Sequence, residues 1–147
     1  NKPFMKLITY ISAADLLGNL SYIIVIAQPP QNSPACFLQA YLASVLYPSS
    51  WLWTSTLSYF LFYLATTART PREYLRFRII SWGLPAFLFL LSVPFATFQQ
   101  PDDFSFEVCA AAGVGATIYH NATVYSLFVL SLGTMTYLHI KIRELEF

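Results

Sequence analysis

Charge is scarce in this sequence. Asp, Glu, Lys and Arg make up 10% of its 147 residues, against about a quarter in an ordinary soluble domain. With 56% of residues apolar, a soluble domain of this size has too little interior to hide them. That excludes a free-standing water-soluble fold. Histidine and cysteine are rare, two of each. His120 and His139 sit at opposite ends of one apolar run, so no metal-ligand cluster forms. Gly-rich phosphate loops, paired carboxylates and a nucleophile beside a base are all missing. The chain therefore reads as non-enzymatic, with no cofactor. A net charge of +1 carries no signature of nucleic-acid binding. No signal peptide is visible, and the opening Asn1-Lys2-Pro3 lacks a Met, so the sequence reads as a piece of a longer protein. Low-complexity tracts, repeats and long linkers are also absent, which leaves one domain over 1–147.

What is present is apolar length. A helix needs about 20 apolar residues to cross the hydrocarbon core of a bilayer. Four runs qualify, at about 7–27, 37–68, 79–98 and 119–142. Strand-like alternation is absent and the runs are too long for strands. The expected fold is an all-α polytopic membrane bundle of four transmembrane helices. The second run, fully helical, would reach about 48 Å and must tilt or protrude. Pro29-Pro30-Gln31-Asn32-Ser33-Pro34, Thr70-Pro71 and Gln99-Gln100-Pro101-Asp102-Asp103 break the runs. A longer loop follows, with a small-residue stretch Ala110-Ala111-Ala112-Gly113.

The charges sort by side. Lys2 and Lys6 precede the first run. Arg69, Arg72, Arg76 and Arg78 lie between the second and third, and Lys141 and Arg143 follow the fourth. The other two loops hold only Asp102, Asp103 and Glu107. By the positive-inside rule, both ends and the middle loop are cytoplasmic. Cys36 and Cys109 then fall on the oxidising side, where a disulfide forms and persists. Two unrelated buried thiols are the alternative. Asn121-Ala122-Thr123 matches a glycosylation acceptor on the same side, close to the membrane.

Asp15 is the one ionisable residue deep in a span, so it is expected to face the bundle interior or a watery cavity. Asp15, Gly18, Asn19 and Tyr22 share a helical face. The reading divides between a functional site, for an ion or proton or as a hydrogen-bonded switch between helices, and a structural polar contact satisfied by Asn19. The second run carries Tyr47, Trp51, Thr54, Ser55 and Ser58, a face suited to close helix packing. Pro48 and Pro85 are expected to kink their helices.

This order of features resembles helices two to five of a seven-helix G-protein-coupled receptor: an acid-bearing helix, a Cys opening a long helix, a basic loop, a helix, a loop with a second Cys, and a helix. A closer resemblance is to the cyclic-AMP-receptor-like family of such receptors. Ser12-Ala13-Ala14-Asp15-Leu16-Leu17 looks like that family's second-helix motif. Cys36-Phe37-Leu38-Gln39-Ala40 and Ser49-Ser50-Trp51-Leu52-Trp53-Thr54 look like its third helix, and Ile80-Ser81-Trp82-Gly83-Leu84-Pro85 like its fourth. The resemblance implies a Cys36–Cys109 disulfide, a location in the plasma membrane, an extracellular ligand and a heterotrimeric G protein as partner. It puts Gln39, Tyr47, Tyr119 and His120 near the ligand, and Arg69, Arg72, Arg76 and Arg78 near the G protein. For any single Arg, topology setting and contact with anionic lipid make the stronger reading. Two departures stand out. Thr67-Ala68-Arg69 replaces the acid-Arg-aromatic triplet of rhodopsin-like receptors, and Val108-Cys109-Ala110 lacks the Trp that often flanks the family's loop Cys. The competing class is a self-contained four-helix membrane scaffold or junction protein. A transporter piece would call for more charges near the midplane than Asp15.

Overall fold

In a computed structural model of the protein, the described residues are 2–23, 32–68, 74–95, 97–99 and 109–145. They form an all-α bundle of four long helices: α1 (Lys2–Leu20), α2 (Pro34–Thr67), α3 (Tyr74–Ser92) and α4 (Val114–Leu145). A 3-10 turn (Val93–Phe95) and two short strands, β1 (Thr97–Gln99) and β2 (Ala110–Ala112), join α3 to α4.

Local sequence sets where α2 begins. Ser33 sits in extended geometry and its Oγ accepts a hydrogen bond from the Cys36 amide at 3.2 Å. This satisfies one of the donors left over at a helix start. Pro34 takes the first helical position, where its missing N–H matters least. At the far end Ala68 adopts the left-handed conformation (φ 54°) and donates its N–H to the Leu64 carbonyl, a hydrogen-bonded stop.

Helix α2 is the axis of the bundle and packs against α1, α3 and α4, whereas α3 and α4 barely touch each other. Its buried residues therefore point in several directions and include Cys36, Gln39, Val45, Pro48, Trp53 and Phe60. The outward sides of α3 and α4 are apolar. Ile79, Phe87 and Leu90 on α3, and Ile118, Val129 and Leu130 on α4, are exposed. An uncovered apolar surface of this extent fits a lipid environment. By length and composition, α3 and the Val114–Glu144 part of α4 can cross a membrane. The described part of α1 carries Lys6 and Asp15, and α2 is dense in Ser, Thr and Tyr, which lowers the hydropathy of both.

Several boundaries differ from the expectation. Helix α1 is interrupted by a turn at Ser21 and Tyr22, and residues 24–27 of the expected first run lie outside the described residues. The Ser21 amide and Oγ turn back onto the Gly18 carbonyl, a hydroxyl competing with the helix ladder. Helix α3 starts at Tyr74 and stops at Ser92 rather than running to residue 98. Pro94 sits in the 3-10 turn that follows, and a residue without an N–H cannot extend the α ladder. The expected loop also contains a strand. Thr97, Phe98 and Gln99 pair antiparallel with Ala112, Ala111 and Ala110, so the small-residue stretch is half of a β ribbon. Gly113, at φ 96°, then turns the chain into α4, a backbone conformation that strongly favours glycine.

Candidate functional site beneath the disulfide

Cys36 and Cys109 are joined by a disulfide, with a Cα–Cα distance of 5.2 Å across 73 residues of sequence. The bond ties the first turn of α2 to the residue that precedes β2. Both cysteines are buried, in a cluster with Ala40, Val45 and Phe89. Gln39 lies immediately below, fully buried, and its Oε1 accepts from the Cys109 amide at 3.4 Å. Its Nε2 has no partner among the described residues. A buried amide with one end used and one end open is costly unless another group or water completes it.

A second polar patch opens one turn deeper. Ser44 Oγ on α2 and His120 Nε2 on α4 lie 3.5 Å apart. They border a cavity of about 10 Å³, which Pro48, Pro85, Phe89 and Thr123 also line. That volume is roughly what one water molecule needs. The two prolines explain why space exists here. A proline inside a helix removes the amide that the carbonyl four residues earlier would accept from, and its ring pushes against that turn. For Pro48 that residue is Ser44; for Pro85 it is Ser81. The site thus presents polar groups on α2 and α4 around a small void, in the same half of the bundle as the disulfide. Its chemistry is hydrogen bonding, since among the described residues no three His, Cys, Asp or Glu side chains converge to hold a metal.

The sequence-predicted positions fall into three places. Gln39 and His120 both belong to the site just described. Tyr119, half-buried, is beside His120 on α4. Tyr47 instead faces α1, where its hydroxyl donates to Asn19 Oδ1 at 3.3 Å. Its ring packs so closely that a Cβ on Gly18 would stand 3.4 Å from it. Asp15 is in the same region and half-buried. The Asn19 amide donates to the Asp15 main-chain carbonyl at 2.8 Å. Asp15, Asn19 and Tyr47 therefore form a separate patch between α1 and α2. Arg76 and Arg78 are exposed at the start of α3, at the opposite end of the bundle. Arg69 and Arg72 lie outside the described residues.

Ser44 and Thr123 escaped the sequence reading. The signal for Ser44 was its position four residues before a helical proline. Thr123 was noted only as part of a glycosylation pattern; its Oγ1 donates to the Tyr119 and His120 carbonyls at 3.0 and 2.9 Å.

No protein-family model matches the chain. Over 93 residues it is 31% identical to G-protein coupled receptor 157 of Homo sapiens, a stretch that takes in 60% of this chain and 28% of that receptor. The chain thus corresponds to less than a third of the curated relative it matches. Taken with the two long apolar helices, this partial similarity indicates a membrane protein distantly related to a G-protein-coupled receptor.

Proposed function

We propose that the chain is the second-to-fifth-helix portion of a seven-helix receptor of the cyclic-AMP-receptor-like kind. All four helices cross the plasma membrane, with the disulfide end outside and both ends of the segment in the cytoplasm. The single observation that carries this reading is the Cys36–Cys109 bond. It fastens the loop ahead of α4 to the mouth of α2, the helix at the centre of the described bundle. Cys109, pinned there, meets Gln39, and an extracellular ligand would act in the Gln39, Ser44 and His120 region. Tyr47 and Tyr119 border the same half of the bundle.

A ligand shifts such a bundle only through different affinity for its two arrangements. The small hydrogen-bonding void is a suitable lever, because a group that fills it favours one spacing of α2, α3 and α4. Asp15, in mid-span, is the second polar element expected to differ between arrangements. Arg76 and Arg78, and by sequence position Arg69 and Arg72, belong to the cytoplasmic side of this reading, where a heterotrimeric G protein would dock.

The test uses the protein that carries this segment, expressed in cells with sensors of G-protein dissociation. Basal dissociation of one G-protein class should rise with expression, and Asp15→Asn should change it. Surface-expressed protein that moves no class of G protein would sink the receptor reading and favour a four-helix scaffold.

A further inference from the structure

Away from the disulfide, α3 and α4 splay apart and leave a lateral cleft of about 360 Å³ floored by α2. Thr56 and Tyr59 of α2, Phe77, Ile80 and Ser81 of α3, and Thr134 of α4 are among its walls. Its polar atoms are mostly turned inward. Thr56 Oγ1 donates to the Leu52 carbonyl at 2.8 Å, and Thr134 Oγ1 to the Leu130 carbonyl at 2.8 Å. What the cleft offers an occupant is largely hydrocarbon. Its volume lies at the small end of ligand sites, enough for part of one chain and not for a bulky headgroup.

The ends of the walls are basic. Arg76 is exposed one helical turn ahead of Ile80 and therefore on the same side of α3. Lys141 stands seven residues after Thr134, two turns along the same stripe of α4. Its Nζ meets Glu144 Oε2 at 2.7 Å, with the Lys side chain still 41% exposed. An apolar slot between two cationic posts complements one kind of molecule. It would take an acyl chain in the slot and an anionic group at the posts.

We infer that this cleft is a binding site for an anionic phospholipid, with an acyl chain between α3 and α4 and the phosphate at Arg76 and Lys141. The inference rests on the membrane reading but not on receptor activity. A zwitterionic lipid offers the same chain without the net charge, so the cleft discriminates by headgroup. Because few contacts join α3 and α4 directly, the lipid also acts as a spacer that sets their separation.

The probes are phosphatidylglycerol and phosphatidylcholine carrying a photoreactive group midway along one acyl chain. Each is doped separately into phosphatidylcholine vesicles holding the protein, and cross-linked peptides are mapped by mass spectrometry. Phosphatidylglycerol should label the Phe77–Ser81 and Thr134 peptides roughly fivefold more than phosphatidylcholine does, the factor expected for one basic residue near an anionic lipid. Arg76→Gln with Lys141→Gln should bring that ratio to about one while leaving labelling elsewhere unchanged. Ile80→Trp, which fills the slot from an exposed position, should remove cleft labelling by both lipids. Equal labelling by the two lipids in the native sequence would overturn the inference. Labelling of Leu90, Val129 and Leu130, on outward faces away from the cleft, reports whether the bundle is in the bilayer at all. If those positions stay unlabelled as well, the membrane reading fails together with this one.

Discussion

The two ends of the bundle are held together by different means. At the disulfide end a small core surrounds a covalent bond: Cys36, Ala40, Val45 and Cys109, with one ring cluster of Phe89 against Phe37 and Tyr41. At the basic end no disulfide crosses between helices. Leu7, Trp53 and Phe60 are buried there among Tyr10, Tyr74, Phe77 and Trp82. Trp53 and Trp82 meet at 6.2 Å and 64°, and Phe60 and Phe77 at 5.8 Å and 71°, close to the edge-to-face geometry that ring quadrupoles favour. The difference follows from the solvent. Lipid is as apolar as a leucine side chain, so burial alone drives little helix association in a membrane. Shape, hydrogen bonds and covalent ties must do it instead. One end uses a tie and leaves room for a polar void; the other uses interlocking rings and leaves a lateral cleft.

The largest expected effect comes from cutting the tie. Closing a loop over 73 residues restricts the unfolded chain by at most about 4.4 kcal/mol in the chain-entropy model. Inserted helices already restrict the unfolded state in a membrane, so the measured loss should be smaller. Cys36→Ser with Cys109→Ser should strip hydrogen-exchange protection from the Ala110–Ala112 amides and lower the thermal midpoint. Exchange in α2 around Trp53 and Phe60 should hardly change. Loss spread evenly over both ends would show that the bundle has one cooperative core and that the contrast is only descriptive.

The converse substitution is Trp53→Ala. In soluble cores such a truncation costs about 3–5 kcal/mol. The low end, about 3, applies here because the transfer component is weak in lipid. Tyr10, Tyr74 and Trp82 all lose a ring neighbour. The disulfide should still form, as judged by resistance to alkylation without reductant. Trp53→Phe should cost clearly less, since Trp53 Nε1 has no acceptor among the described residues and deleting it breaks nothing. A Trp53→Ala protein that can no longer close the disulfide would mean that the rings guide assembly of both ends.

The helical, all-α character of the fold was legible in the sequence because it depends on long-range averages: run length, the missing alternation and the breaks at proline. Boundaries were less so. The end of α3 turns on a single proline and on a ribbon whose pairing partners are far apart in sequence, Thr97 with Ala112. Strand pairing of that sort leaves no local trace in Ala110-Ala111-Ala112. Residue types pointed to Gln39 and His120 as polar groups near one end. They gave no sign that Tyr47 turns toward α1, because its direction is fixed by the gap over Gly18. Ser55 lay on a face recognised as polar, yet its partner Ser131, on a helix 76 positions away, could only be found by folding the chain.

That pair supplies the smallest effect and sharpens the comparison. Ser55 Oγ and Ser131 Oγ are 2.6 Å apart, and Ser131 Oγ also donates to the Trp51 carbonyl at 2.8 Å. The contact joins α2 to α4 at the inner edge of the cleft, which Ser55 helps to line. Ser131→Ala leaves Ser55 with the Trp51 carbonyl, which it already reaches at 3.0 Å. Ser55→Ala likewise leaves Ser131 an acceptor. Each single substitution should therefore be mild, and a double-mutant cycle should give a coupling of about 0.6 kcal/mol, the usual scale for hydrogen bonds between membrane helices. The unfolding midpoint in detergent, compared across the four variants, measures it. Coupling near zero would mean that the hydroxyls act independently through the Trp51 carbonyl, and the two ends would then communicate through α2 alone. Coupling above about 1.7 kcal/mol, the upper limit seen for such bonds, would make this pair a third fastening of α4 to α2, alongside the disulfide and the rings.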